Sequence, residues 1–177
     1  ITEKDKETIR FASRENIDYL ALSFVSSAED ILSVNDLLIE YNNDHSLLIA
    51  KIEKEKSLDE LDEIIKVSDG IMVSRSDLGV EIPIERIPGI QRSVINKCHL
   101  QGKVSIVATE MLSTLEQEVK PLGSEVSDIA NAIVDGVDAI MLTGETTKGK
   151  YPVSTISMMN KIIETSENDI NYHELLD

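Results

Sequence analysis

The chain has 177 residues, 41% hydrophobic and only 3% aromatic with no tryptophan, enough for one domain whose core is built from Ile, Leu, Val, Ala and Met. Seventeen basic residues against 33 acidic ones leave a net charge of −16, which argues against nucleic acid or an anionic membrane as partner and obliges any anionic substrate to be held by a local lysine, a metal or a helix N-terminus. The single Cys98 excludes an intrachain disulfide and fits a reducing compartment; the charged start ITEKDKETIR carries no secretory pattern and no apolar run spans a bilayer, so the expected location is the cytoplasm.

A first helix is expected over roughly 3–15, followed by an apolar strand DYLALSFV at 18–25. AEDILSVNDLLIEY repeats apolar residues at helical spacing, with Ser26 and Glu29 as a capping box. The strand SLLIAKI at 46–52 precedes a helix SLDELDEIIKV that opens on Ser57 and Glu60 in the same pattern. Next come the strand DGIMVS (69–74), a Pro83- and Pro88-bearing excursion LGVEIPIERIPG (78–89) that is the best candidate for a functional loop, and the helix GIQRSVINKCHLQG. The strand VSIVAT (104–109), the helix SEVSDIANAIVDG ending at Gly136, the strand DAIMLT (138–143) and a long helix VSTISMMNKIIETSE complete the series. Five successive βα units after one helix give an α/β fold with a parallel sheet, and residues 1–177 read as one segment. An open doubly wound sheet and a (β/α)8 barrel both fit this order, but no G-x-G-x-x-G opens a helix, so the dinucleotide-binding sheet lacks its best signal.

Polar residues collect at the carboxyl ends of these strands, where parallel α/β proteins place their sites. Ser23 stands near the end of the first strand, Lys51 and Glu53 end the second, and Asp77 follows the third; Thr109 with Glu110 and Thr143 with Glu145 mark the fourth and fifth. Alternation turns Lys51 and Glu53 to one side. Two carboxylates, Glu53 and Asp77, suit a hard divalent cation such as Mg2+ or Mn2+, and the Lys51 ammonium suits negative charge developing on a phosphoryl or enolate oxygen. The plainer alternative is that Lys51 and Glu53 form a structural ion pair. His45, His99 and His173 lack metal-ligand spacing, Met111 and the Met158–Met159 pair read as packing, Cys98 reads as buried, and DELDE (59–63) reads as a solvated helix face.

The run IAKIEK, then SDGIMVSRSDLGVEIP, ATEML, EVSDIANAIVDGVDAIMLTGET and KGKYPV, resembles the pyruvate kinase family over almost the whole chain. The resemblance implies a partial TIM barrel: the last five strands of eight, without the lid domain or the C-terminal domain. It implies phosphoryl transfer between phosphoenolpyruvate and ADP to give pyruvate and ATP, in glycolysis, with Mg2+ and K+, the K+ ligands lying outside this chain. By the same resemblance Lys51 stabilises the transferred phosphoryl and the enolate oxygen, and Glu53 and Asp77 ligate the divalent metal. The amides of Ser76 and Asp77 hold the substrate carboxylate, Thr109 belongs to the proton relay, and Ser23 and Thr143 line the cavity.

Four places in the chain depart from the family's usual pattern. R-G-D-L-G reads Arg75-Ser76-Asp77-Leu78-Gly79, A-T-Q-M reads Ala108-Thr109-Glu110-Met111, P-T-R-A-E reads Pro121-Leu122-Gly123-Ser124-Glu125, and Ser26 stands where arginine is common. These changes remove positive charge and add negative charge around an anion site. The isolated chain is expected to have negligible kinase activity, and its open sheet edges are expected to self-associate or to pair with the missing part of a barrel. A non-catalytic relative serving as scaffold or partner subunit, and a Mg2+-dependent oxo-acid lyase or aldolase barrel, are the alternatives.

Overall fold

The computed structural model describes residues 1–170, so His173 lies outside the described residues. It contains nine α-helices and five strands among those residues, in the alternating order expected of βα units. The strands β1 (Tyr19–Leu22), β2 (Leu47–Ile52), β3 (Gly70–Ser74), β4 (Val104–Ala108) and β5 (Ala139–Met141) form one sheet in that sequence order. β1 pairs in parallel with β2, and β2 with β3. This is the α/β architecture of a partial (β/α)8 barrel. Contacts group the chain into two compact units, Ile1–Ile106 and Val107–Asp177.

In the first unit, α1 (Glu3–Arg14) is started by a capping box in which Thr2 and Asp5 exchange hydrogen bonds. α2 (Ala28–Glu40) begins one residue later than the sequence pattern suggests: Asp30, not Glu29, accepts the amides of both Ser26 and Ser27. The expected helix from Ser57 is two helices, α3 (Glu55–Asp59) and α4 (Leu61–Val67), broken where Glu60 leaves helical dihedrals. Ser57 sits inside α3, buried, with its hydroxyl on the Lys54 carbonyl at 2.5 Å, and so caps nothing. The proposed loop at 78–89 is mostly helical: α5 (Arg75–Glu81) passes through Pro83 and a 3-10 turn, Ile84–Arg86, directly into α6 (Ile87–Leu100). Prolines at such junctions are tolerated because the first turn of a helix needs no amide donor there.

The core of this unit is aliphatic, as the composition requires. Leu48, Ala50 and Ile52 of β2 and Ile71 and Val73 of β3 pack with Ile31, Val34 and Leu38 of α2, Ile64 and Ile65 of α4, and Val94 and Cys98 of α6. Every residue of β3 is buried, whereas β1 alternates exposed and half-buried positions. That contrast follows from position: β3 has neighbours on both sides and β1 is an edge.

The second unit holds α7 (Gly123–Val134), α8 (Gly144–Thr147) and α9 (Pro152–Asp169), with α7 and α8 each packed on α9. Met111, Leu112, Leu115, Ile129 and Ala132 are buried, and Met159 with Ile162 faces inward from α9. His45 and His99 are exposed. No helix among the described residues is long and apolar enough to cross a membrane.

Candidate functional site

The centre of the site is a buried carboxylate. Glu53, one residue beyond β2, is 2% exposed. Its Oε1 lies 2.7 Å from the Lys51 ammonium, and its Oε2 accepts the Phe24 amide at 2.6 Å. Lys51 in turn donates to the Ser23 hydroxyl at 2.9 Å. The strand period of two puts Lys51 and Glu53 on one face, and register puts Ser23 beside Lys51, one step beyond the Leu22–Ala50 pair. Alternation along β2 and the parallel register of β1 thus bring Ser23, Lys51 and Glu53 into contact.

Phe24 is a residue the sequence reading misses. It has φ of 58°, a left-handed conformation uncommon outside glycine, and it stops β1 well before the expected end at residue 25. The turn aims its amide at Glu53 and leaves the ring 59% exposed, with the Lys54 ammonium 5.7 Å from the ring centroid. In the sequence, Ser23-Phe24-Val25 looks like the last residues of a buried strand, because hydrophobicity does not record the sign of φ.

Asp77 belongs to the first turn of α5 and is exposed. Its Oδ2 accepts the hydroxyl of Ser74, a buried residue at the end of β3, at 2.8 Å. Ser76 precedes it, so both amides named by the family resemblance lie in that first turn. Glu53 and Asp77 offer oxygen only, the donor set that a hard cation prefers, and the Lys51 ammonium supplies the positive partner of Glu53 in this structure. Among the described residues no group of three or more His, Cys, Asp or Glu is arranged to hold a metal by itself.

The remaining candidates belong to the second unit. Thr109 and Glu110 both have positive φ, 70° and 55°, so the chain leaves β4 through two successive left-handed residues, and the strand ends at Ala108 rather than at the threonine. The Thr109 hydroxyl turns back onto the Ala108 carbonyl at 2.5 Å. Thr143 precedes α8, and its amide donates to Oε2 of Glu145 at 2.8 Å while its hydroxyl lies 3.4 Å from the same oxygen. Glu145 is itself only 2% exposed. Beside it, Lys148 pairs with Glu116 at 3.3 Å.

The family model described as pyruvate kinase, barrel domain, matches residues 1–156. A pyruvate kinase of Clostridium acetobutylicum is 47% identical over 176 residues, covering 99% of this chain and 37% of that protein. One of Geobacillus stearothermophilus is 46% identical over 176 residues, covering 99% and 30%, and one of Agrobacterium vitis is 44% identical over 177 residues, covering 100% and 36%. The chain thus spans 30–37% of the length of these curated relatives.

Proposed function

The chain belongs to the pyruvate kinase barrel-domain family, and from that premise we propose that it supplies the carboxyl-terminal part of a catalytic barrel transferring a phosphoryl group between phosphoenolpyruvate and ADP. The observation that carries the proposal is the Lys51 ammonium held at 2.7 Å on the buried Glu53 carboxylate at the end of β2. Lys51 is 20% exposed at its side chain, open enough to exchange its partner for an incoming oxygen. The ammonium stabilises the transferred group and the enolate oxygen, and Ser23 fixes its direction from below. Glu53 and Asp77 would hold Mg2+ or Mn2+, which when bound neutralises charge on the substrate oxygens.

The other assignments follow the family position by position. The amides of Ser76 and Asp77 take the substrate carboxylate, Thr109 serves the proton relay on the enolate carbon, and Thr143 lines the cavity. K+ and most nucleotide contacts fall to polypeptide outside this chain. The edge of β1 is the place where further strands of a barrel would pair with this segment. Its site of action is the cytoplasm, where the substrates of glycolysis are.

Oxalate, a mimic of the enolate, gives the direct test. The purified chain should bind oxalate only when Mg2+ or Mn2+ is present, and Lys51→Ala should weaken that binding by at least tenfold. Metal-independent binding, or binding indifferent to Lys51→Ala, removes the assignment. A non-catalytic role as partner subunit is favoured by two departures from the family pattern, Ser76 and the acidic Glu110; complete absence of oxalate binding in the folded protein would select it.

A further inference from the structure

Ser74 has no place in the family-derived roles, yet the structure gives it one. It ends β3, is 2% exposed, and donates its hydroxyl to Asp77 Oδ2 at 2.8 Å. A serine before a helix ordinarily accepts an amide of the first turn. Ser74 makes no such bond, and its hydroxyl proton goes to a carboxylate three residues ahead.

The register makes that bond consequential. Ile52 of β2 lies beside Val73 of β3, so the next step along both chains brings Glu53 level with Ser74. Neighbouring strands are about 4.8 Å apart and side chains at one level share a face. The buried hydroxyl and the buried carboxylate therefore stand side by side, and Asp77 is tied to the former. An exposed aspartate on a first turn otherwise has several rotamers open to water. The bond to Oδ2 selects one and leaves Oδ1 for another partner.

A repeat in the sequence places this serine in a series. Asp18, Asp69 and Asp138 are each followed five residues later by a hydroxyl residue, Ser23, Ser74 and Thr143, at the carboxyl ends of β1, β3 and β5. The Ser23 hydroxyl accepts from Lys51 and the Ser74 hydroxyl donates to Asp77, whereas Thr143 donates its backbone amide to Glu145 with its hydroxyl 3.4 Å from the same oxygen. In all three the terminal residue holds a charged side chain.

We propose that Ser74 is a positioning residue, its buried hydroxyl holding the Asp77 carboxylate at the level of Glu53 so that the two acids face one divalent cation. The proposal rests on the reading of Glu53 and Asp77 as metal ligands, and its experiment separates the two ideas. Mn2+ is titrated into the 177-residue protein and the free ion counted by electron paramagnetic resonance, at a temperature where thermal unfolding of each metal-free variant shows it folded. Ser74→Ala should weaken Mn2+ binding roughly tenfold, the usual cost of losing a partner that orients a metal ligand. Ser74→Thr, which keeps the hydroxyl, should recover most of the affinity, and Ser74→Ala should add nothing to Asp77→Asn. Should the alanine variant fail to fold, Ser74→Cys, similar in size and a weaker donor, takes its place with a smaller loss expected. Unchanged Mn2+ affinity in Ser74→Ala, with affinity lost in Asp77→Asn, overturns the role of Ser74 and leaves the metal site standing. Wild-type affinity in Asp77→Asn overturns both.

Discussion

Two buried carboxylates, Glu53 just past β2 and Glu145 inside α8, one in each compact unit, are stabilised in opposite ways. Glu53 and Glu145 are both 2% exposed. Glu53 meets the Lys51 ammonium and one backbone amide, whereas the donors on Glu145 are the amide and hydroxyl of Thr143, neutral groups two residues away. An ammonium neutralises a buried charge but is itself displaced when a stronger partner arrives; backbone dipoles solvate the charge and stay fixed. The first arrangement suits a group that must yield to substrate or metal, the second a group that shapes its own loop. Burial alone does not distinguish a reactive carboxylate from an architectural one; the nature of its donors does.

The largest expected effect tests this directly. Lys51→Met leaves Glu53 buried without its cation, and breaking such a pair from one side costs about 3–5 kcal/mol when both partners are buried. Because Lys51 retains partial contact with water, a loss near the low end, about 3 kcal/mol, is expected in denaturant unfolding. Lys51→Met combined with Glu53→Gln should recover much of it. Glu145→Gln, which keeps an acceptor for the Thr143 amide, should change stability by less than about 1 kcal/mol. Equal losses at the two sites would erase the distinction.

Much of this was readable in the residues. All five strands are legible as apolar runs, because both faces of a parallel sheet are covered and the sequence must be apolar on both. Alternation puts Lys51 and Glu53 on one side, and the ion pair offered as the plainer alternative is present. The errors share a physical cause: they occur where backbone conformation, not hydrophobicity, decides. Phe24 and Thr109 end their strands by turning left-handed, a property no apolar pattern carries. Asp30 rather than Glu29 accepts the amides at the start of α2, a one-residue shift that side-chain reach decides. Ser57 and Glu60 matched a capping box, yet the chain had entered α3 two residues earlier. The Ser74–Asp77 bond has no signal in the sequence, where Ser74 closes an apolar strand and Asp77 lies in the next helix.

If the second unit's rim is built by backbone, its sensitive points are glycines. A Cβ at Gly149 would lie 2.3 Å from the carbonyl oxygen of Glu145 and 2.9 Å from its carbonyl carbon. The atoms met are main chain and have no rotamer to escape into. The Gly149 amide also donates to the Gly144 carbonyl at 2.9 Å, closing α8. Gly149→Ala should therefore cost about 1–3 kcal/mol, the usual range for overpacking, and should displace the backbone around Glu145. Amide chemical shifts of residues 143–149 provide the check. A silent substitution there would mean that the loop is held by side chains, and the contrast with the Glu53 site would narrow.

The smallest effect isolates what water does to the second kind of arrangement. Asp5 is held as Glu145 is held, by the amide and hydroxyl of a threonine: Thr2 donates both to Oδ2, at 2.7 and 2.8 Å. Asp5 is fully exposed, however, so the same donors act against solvent screening. The Thr2 amide, then its hydroxyl, holds the Asp5 carboxyl below its usual range. A carboxyl that is depressed on folding stabilises the folded form above its unfolded pKa, and that stabilisation fades as pH falls through the lower folded value. The start of α1 should thus fray as pH is lowered from the ordinary carboxylate range to below it, read as faster amide exchange at Asp5 and Lys6 after correction for the intrinsic pH dependence. In Asp5→Asn, where the acceptor persists without a titrating proton, the corrected exchange should be flat over the same interval. A slope that survives in Asp5→Asn would assign the titration to another group, Glu3 being the nearest candidate because Lys6 also holds it low. Loss of the slope in the variant would establish that a threonine's neutral donors are sufficient to stabilise a carboxylate even in water, and with it the physical basis for leaving Glu145 without an ammonium.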